Sequence, residues 1–555
     1  MLAAALLAWL LPWISPRWWA ALSGLLRRLA RNNLSATLWS AVLTFAASAA
    51  LYAVLSPAPR VHDEFAYLLA SDTYSRGRLT NPTHPLWEHF ESFHVFHTPT
   101  YQAKYPPGQG LFLAAGQALT GRPIVGVWLS MAAGAAAVCW MLLAWLPPRW
   151  ALFGALLPAL RFGTIPVWES YRFVYWSITY WGGAVAMAGG ALLLGALPRL
   201  LREPRPKNAV AMGVGLAVLA NSRPYEGLVV ALPTGLLLLI WMFARRPPWR
   251  AVLFRLIFPT AGVLALGALS GAYYNYRVTG DALRFPYQVH SEQYDVIPMF
   301  TFQPLHPAKT YRHNALYDLY GSAMVRSYER KTAGPAFLLG FQKFDFTELY
   351  EYYLGLALWV PLLWLLGRPW DPWAAYFCGL IVLTLLASSI SAQTTLLEPH
   401  YFATVAPGIV YLVVAGLRRA RTLRLGGRRM GRALAEAIVL LCLLSAAAGS
   451  VPFLIRGNPY ETPVTIYRPA IQRKLEATGG RHLIVVSYGP DHNMFRAWVA
   501  NGADLDGAAV VWARDMGPER NRRLLEYYRD RQIWQLFADE APPRLEPYEE
   551  TQNAR

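Results

Sequence analysis

The sequence predicts a polytopic α-helical membrane protein with about eleven transmembrane helices and a small C-terminal α/β domain. Three observations predict it. The chain of 555 residues is 55% hydrophobic and only 15% charged, and it carries 22 Trp, a composition far from that of soluble globular domains. Its apolar runs recur at close to the length a bilayer demands, roughly 20 residues per helix. Its Arg and Lys residues gather at one end of these runs, pair by pair.

The runs lie near 36–56, 124–146, 150–163, 176–200, 208–221, 228–244, 251–275, 350–367, 374–390, 401–417 and 433–455. Residues 1–35 precede them as interfacial helices. The apolar start, MLAAALLAWLLPWI, has no basic n-region and no small-residue cleavage site after it, so it does not read as a signal peptide. Arg27, Arg28 and Arg31 precede the first span, and Arg199, Arg202, Arg205 and Lys207 follow the fourth. Arg245, Arg246, Arg250 and Arg255 separate the sixth from the seventh, and RRARTLRLGGRRMGR at 418–432 follows the tenth. With eleven spans and a cytoplasmic N-terminus, every basic cluster faces the cytoplasm. The transmembrane domain is then 36–455, with outer loops 57–123 and 276–349, and the tail 456–555 is also outside the cytoplasm. In a bacterium this is the periplasmic side of the inner membrane. The net charge of +18 follows from this topology and implies no nucleic-acid partner.

Cys139, Cys378 and Cys442 all fall in spans, which excludes a disulfide framework or a cysteine zinc site. In the tail, HLIVVSYG at 482–489, GAAVVWAR at 507–514 and RQIWQLF at 531–537 read as strands, and ERNRRLLEYYRD at 519–530 as a helix. GPDHN at 489–493 reads as a turn with an Asp or Asn cap.

The outer loops hold the chemistry. VHDEFAYLLASDTYSRGRLTNP at 61–82 puts an adjacent Asp63 and Glu64 just beyond the first span, and ionisable residues at a membrane edge are a functional signal. An aromatic, His-rich stretch follows, then KYPPGQGLFLAAGQALTG at 104–121. His84, Glu88 and His89 have spacings that could hold a divalent metal ion; the same stretch also reads as a polar loop lining the acceptor side.

This order resembles the first outer loop of the GT-C glycosyltransferases, in particular the protein O-mannosyltransferases and the aminoarabinose transferases of bacterial lipid A. In that superfamily an Asp-Glu pair follows the first span, an aromatic residue comes a turn later, and a Gly-containing segment leads to a basic residue beside prolines. The corresponding residues are Asp63, Glu64, Tyr67, Gly77 and Lys104 with Pro106 and Pro107, although Tyr105 separates Lys104 from the prolines. NSRPYEG at 221–227 matches the place where relatives carry a basic residue beside Gly or Pro, and the resemblance implies Arg223 as a phosphate contact, with Tyr225 and Glu226 as substrate neighbours. EPHYFATVAP at 398–407 supplies His400 and Tyr401 where relatives have a basic residue and Tyr, and Glu169 is the candidate second acid.

The resemblance implies transfer of a sugar from a polyprenyl-phosphate carrier in the bilayer to a glycan, lipid or protein acceptor, with inversion. Asp63 would be the general base, assisted by Glu64, and Arg223 and Lys104 would hold the phosphate. The alternative class is a transporter or flippase of lipid-linked saccharide, in which the acids would relay protons or ions. A non-catalytic envelope scaffold explains the tail but leaves the loop motifs without a role.

Overall fold

The computed structural model describes residues 16–55, 58–161, 176–334, 349–354, 358, 362, 365, 371–393, 399–424, 431–456 and 461–549. The N-terminal apolar stretch, Glu169 and most of the run 350–367 lie outside them.

Among the described residues, six helices are long and apolar enough to cross a membrane. An amphipathic helix, α1 (Pro16–Leu29), carries Arg27 and Arg28 in its last turn and leads into the first of them, α2 (Asn33–Leu55). Next come α3 (His62–Ser75) and a two-stranded ribbon of β1 (Val95–Phe96) and β2 (Gln102–Ala103). Helix α4 (Pro107–Thr120) returns the chain to the bundle, and the second long helix is α5 (Ile124–Leu142). Helix α6 (Pro148–Arg161) follows, then α7 (Ala184–Arg202), α8 (Pro206–Ala220), α9 (Pro224–Arg245) and α10 (Trp249–Thr279). On the second outer loop lie α11 (Pro286–Tyr294) and α12 (Met324–Thr332). Helix α13 (Pro372–Ile390) is the last of the six, and α14 (Ala406–Ala420) and α15 (Gly431–Arg456) close the bundle.

The structure revises two stretches. Residues 176–183, read from sequence as the start of the fourth span, form a turn before α7, with Gly182 at φ +52°. Part of the first outer loop is the apolar helix α4, whose 14 residues fall short of a spanning run. It packs on α5 through paired glycines. A Cβ on Gly126 would stand 2.1 Å from the Phe112 carbonyl oxygen, and one on Gly116 2.1 Å from the Gly126 nitrogen. Gly126→Ala is therefore expected to cost about 1–3 kcal/mol by forcing two backbones apart, read as a lower melting temperature in detergent. Gly271→Ala, where nothing lies within 4 Å, should not lower it; equal melting of the two variants would refute the close crossing.

The tail folds as α16 (Pro463–Thr478), β3 (His482–Ser487), β4 (Val510–Arg514), α17 (Pro518–Tyr527), β5 (Gln532–Phe537) and β6 (Arg544–Pro547). The sheet order is β4-β3-β5-β6, with β3 parallel to both neighbours and β6 antiparallel to β5. Strand β3 is apolar on successive residues because both faces of the sheet are covered. Ile484 and Val486 pack with Val464 and Leu475 of α16. Leu483 and Val485 share a core with Ala66, Leu69 and Ala70 of α3 and with Leu86 and Phe90 of the first outer loop.

Polar contacts close the same seam. Asp72 accepts from the Ala503 N–H at 2.8 Å, Arg514 donates to the Glu91 carbonyl at 2.7 Å, and Tyr101 donates to the Asn501 carbonyl at 3.2 Å. The second outer loop joins through Tyr294, which donates to Glu91 at 2.8 Å, and Gln293, which donates to the Thr98 carbonyl at 2.7 Å. Both loops and the tail thus form one body at one end of the bundle.

Candidate active site

Four chain segments meet beneath this body. The first is α3, which opens with Asp63 and Glu64 in its first turn, where carboxylates favour the helix dipole, and closes at Gly77 with φ +70°, a left-handed helix end that suits glycine. The second is the start of α4, where Pro107 takes the first helical position. The third is the turn between α8 and α9, and the fourth is the 3₁₀ turn Pro399–Phe402. The Gly108 N–H donates to the Asn221 carbonyl at 2.8 Å. A Cβ at position 108 would stand 2.6 Å from that oxygen, so glycine lets α4 approach the turn that carries Arg223.

Asp63 is the accessible acid, with its side chain one-fifth exposed. It accepts a short hydrogen bond from the Tyr105 hydroxyl at Oδ1, and its Oδ2 lies 3.6 Å from His94 Nε2. Burial, reinforced by Lys104 and His62, holds His94 well below the ordinary histidine range. The imidazole is therefore neutral, and its contact with Asp63 is a polar approach without ion-pair character.

Glu64 differs from its neighbour. It is buried, with Oε2 accepting from the Arg60 N–H at 2.7 Å and the Val61 N–H at 3.4 Å, and Oε1 from the Tyr180 N–H at 3.0 Å. Both oxygens are engaged by backbone, so this carboxylate orients structure. Gln109 completes the anchor by donating to the Tyr180 carbonyl at 3.0 Å. The adjacent Trp181 packs on His400, ring centroids 4.5 Å apart.

Tyr67 is buried and stacks on Tyr105 at 4.6 Å with planes 15° apart. The Arg223 guanidinium sits 5.0 Å from the Tyr401 ring centroid, a cation–π contact, and is within electrostatic reach of Glu226, Tyr67 and Tyr105. Lys104 Nζ is 5.6 Å from the Tyr105 ring centroid and acts on His94, His290 and Asp295. The two cations thus meet at Tyr105 and otherwise face different groups. Tyr225 donates to the Ala387 carbonyl at 2.8 Å, tying α9 to α13. Together with Glu226 and Tyr401 it lines a small cavity of about 30 Å³ that also takes in Thr384, Ser388 and Gln393.

The structure does not bring His84, Glu88 and His89 together as a ligand set. His84 faces Asp506 at 3.3 Å and Tyr528 at 3.1 Å, Glu88 pairs with Arg312 at 3.1 Å, and His89 meets the Arg514 carbonyl at 3.1 Å. These side chains are spent on the seams with the tail and the second loop. Among the described residues no group of three or more His, Cys, Asp or Glu is arranged to hold a metal ion.

Sequence reasoning missed Tyr105, treated there only as an interruption of the motif, and it missed Tyr320, His290 and Asp295. The short spacing from Lys104 to Pro106 was a signal for Tyr105. Nothing local links Tyr320 or His290 to a site some 230 residues earlier.

Fold and site define a multi-pass membrane protein with one accessible carboxylate and two nearby cations where the bundle meets the body formed by its two large loops and its tail. No protein-family model matches the chain, and no curated protein matches it. Among solved structures it is similar to ArnT from Cupriavidus metallidurans in the apo state, with TM-score 0.45 and 13% identity over 89% of this chain and 92% of that one. The same protein bound to undecaprenyl phosphate gives 0.45 and 12% over 89% and 92%. The Archaeoglobus fulgidus oligosaccharyltransferase in the apo form gives 0.38 and 11% over 90% and 69%. All three are distant likenesses of layout.

Proposed function

We propose that the protein is an inverting glycosyltransferase of a bacterial inner membrane, which moves a sugar from a polyprenyl-phosphate carrier to an acceptor hydroxyl on the periplasmic side. The observation that carries this reading is that an accessible Asp63, held by Tyr105, and the Arg223 guanidinium both lie within electrostatic reach of the stacked Tyr67 and Tyr105. The motif resemblance of the first loop adds to it.

The arrangement meets the needs of the reaction. Asp63 takes the acceptor proton as the acceptor oxygen bonds to the anomeric carbon. The bond from that carbon to the phosphate oxygen breaks, and its electron pair leaves with the phosphate. Arg223 meets the growing phosphate charge with a planar, permanently charged fork. Lys104 adds positive charge from the other side of Tyr105. A single displacement inverts the anomeric centre. Glu64, through Tyr180 and Trp181, sets the floor on which His400 and Tyr401 rest.

Eleven spans with a cytoplasmic N-terminus complete the proposal. Packing of the tail on the first outer loop requires both on one side of the membrane, hence an even number of crossings between them, as eleven spans in all provide. In a cysteine-free background, single cysteines at the exposed positions Pro82 and Arg523 should react with an impermeant thiol reagent in spheroplasts, and one at Arg202 should not. Labelling of Arg202 alone would reverse the orientation.

The function is tested with purified protein, polyprenyl-phosphate sugar and an envelope extract. Release of free polyprenyl phosphate together with a glycosylated acceptor is expected. Movement of intact lipid-linked sugar across vesicles, with the glycosyl-phosphate bond unbroken, would instead identify a flippase.

A further inference from the structure

A line of polar side chains leads from Asp63 away from Arg223. His94 Nε2 faces Asp63 Oδ2 at 3.6 Å. The Tyr320 hydroxyl lies 3.4 Å from His94 Nδ1 and 3.2 Å from His290 Nε2. His290 Nδ1 lies 4.0 Å from Asp295 Oδ1. Tyr320, His290 and Asp295 are at most 3% exposed.

With Asp63 protonated, one assignment of the hydrogens runs consistently along this line. The His94 backbone N–H donates to the Tyr320 oxygen at 3.0 Å, which leaves the hydroxyl proton free to point at His290 Nε2. His290 then carries its own proton on Nδ1, toward Asp295. His94 carries its proton on Nδ1, toward Tyr320, and turns the Nε2 lone pair to Asp63. Each group can accept from the Asp63 side and donate from the other.

Two further features accord with such a line. His290 Nδ1 and Asp295 Oδ1 are buried facing each other with no hydrogen-bond partner among the described residues, an arrangement that costs stability. His94 has φ +61°, a backbone region sparsely used by residues with a side chain and retained mainly where function demands it.

The surrounding charges suit proton passage. Burial, Lys104 and His62 keep His94 neutral, and burial, Lys104, His94 and Lys309 do the same for His290. Burial raises the Asp295 carboxyl above the ordinary range, although Lys104, the Ser291 hydroxyl, Lys309 and His306 oppose the shift. Tyr105, Tyr294 and Tyr311 complete the titratable groups around the line. His306 is exposed, and it marks the solvent end.

We propose that His94, Tyr320 and His290 form a proton path that carries the acceptor's proton from Asp63 to Asp295. This rests on the reading of Asp63 as the general base. The protonated Asp63 gives its proton to His94 Nε2, and the Nδ1 proton passes to the Tyr320 oxygen. The Tyr320 proton moves to His290 Nε2, and the His290 Nδ1 proton to Asp295 Oδ1. One proton is displaced in total, and no oxidant or reductant is involved. The path resets when Asp295 releases its proton toward His306 and the imidazoles and hydroxyl turn over. The two end contacts exceed hydrogen-bond length and close in the reacting complex, as unliganded catalytic contacts commonly do.

The test uses the full-length enzyme in the transfer assay, with Tyr320→Phe, which keeps the ring, and Asp295→Asn at the far end. Both variants are expected to lose roughly tenfold or more in kcat, with donor KM unchanged and a larger solvent deuterium isotope effect as proton transfer becomes limiting; the melting temperature falls only for Tyr320→Phe, which leaves the His94 N–H without its acceptor. Wild-type kcat in either variant overturns the path. So does a loss of kcat without a change in isotope effect, since that marks a structural role alone. A wild-type enzyme with no transfer activity overturns the glycosyltransferase reading itself, and the path with it.

Discussion

Asp63→Asn is expected to lower the rate of sugar transfer by about 10² to 10⁴, the usual contribution of a general base, while leaving donor binding intact. Asparagine keeps the size of the side chain, and its carbonyl oxygen still accepts from Tyr105 as Asp63 Oδ1 does. It cannot take a proton, and its NH₂ would face the His94 ring nitrogen that now faces Asp63 Oδ2. In the proposed site the donor phosphate is held by Arg223 and not by Asp63, so carrier affinity should survive. Glu64→Gln makes an informative partner. It must turn an NH₂ toward a backbone N–H at Arg60 or Tyr180, where Glu64 now offers only acceptors. Its main effect should be a stability loss of about 1–3 kcal/mol, the cost of unmet buried polar groups, with a smaller loss of rate. Near-normal turnover by folded Asp63→Asn would remove Asp63 from the mechanism.

Arg223→Ala should weaken binding of the polyprenyl-phosphate donor by roughly 10- to 150-fold, corresponding to loss of a charge-assisted contact of about 1.5–3 kcal/mol. The substitution also removes the cation stacked 5.0 Å from the Tyr401 centroid, leaving a cavity beside Tyr67 and Tyr105. Arg223→Lys should recover only part of the affinity, because an ammonium keeps the charge but lacks the planar fork that matches a phosphate. Direct binding of labelled polyprenyl phosphate to detergent-solubilised variants measures both. Unchanged affinity in Arg223→Ala would move the phosphate site elsewhere, with Lys104 as the next cation to test.

The candidate site was legible where its signal was local. Asp63 and Glu64 stand together at the end of an apolar run, so composition against the bilayer marks them, whereas Arg223, in a polar break between two apolar helices, was singled out by the resemblance of NSRPYEG to the family motif. The division of labour between the two acids was not legible. Adjacent residues on a helix point in different directions, and only packing decided that Glu64 would turn inward to the N–H of Tyr180, 116 residues away, while Asp63 stayed accessible. The His-rich stretch shows the same limit. The spacing of His84 and Glu88 suited a chelate, yet each side chain found its partner in a distant segment, at Asp506 and Arg312.

What the sequence by itself determined is the membrane character of the chain and the identity of its apolar helices. A bilayer imposes its requirement segment by segment, since each span must satisfy its own backbone hydrogen bonds in a medium without water. That requirement is written in consecutive residues. The tertiary structure alone decided that the tail would share a core with α3, that Tyr105 would bond to Asp63, and that His94, Tyr320 and His290 would line up behind it. Those contacts depend on side chains brought from far along the chain, whose meeting is fixed by the packing of whole elements and leaves no pattern in neighbouring residues.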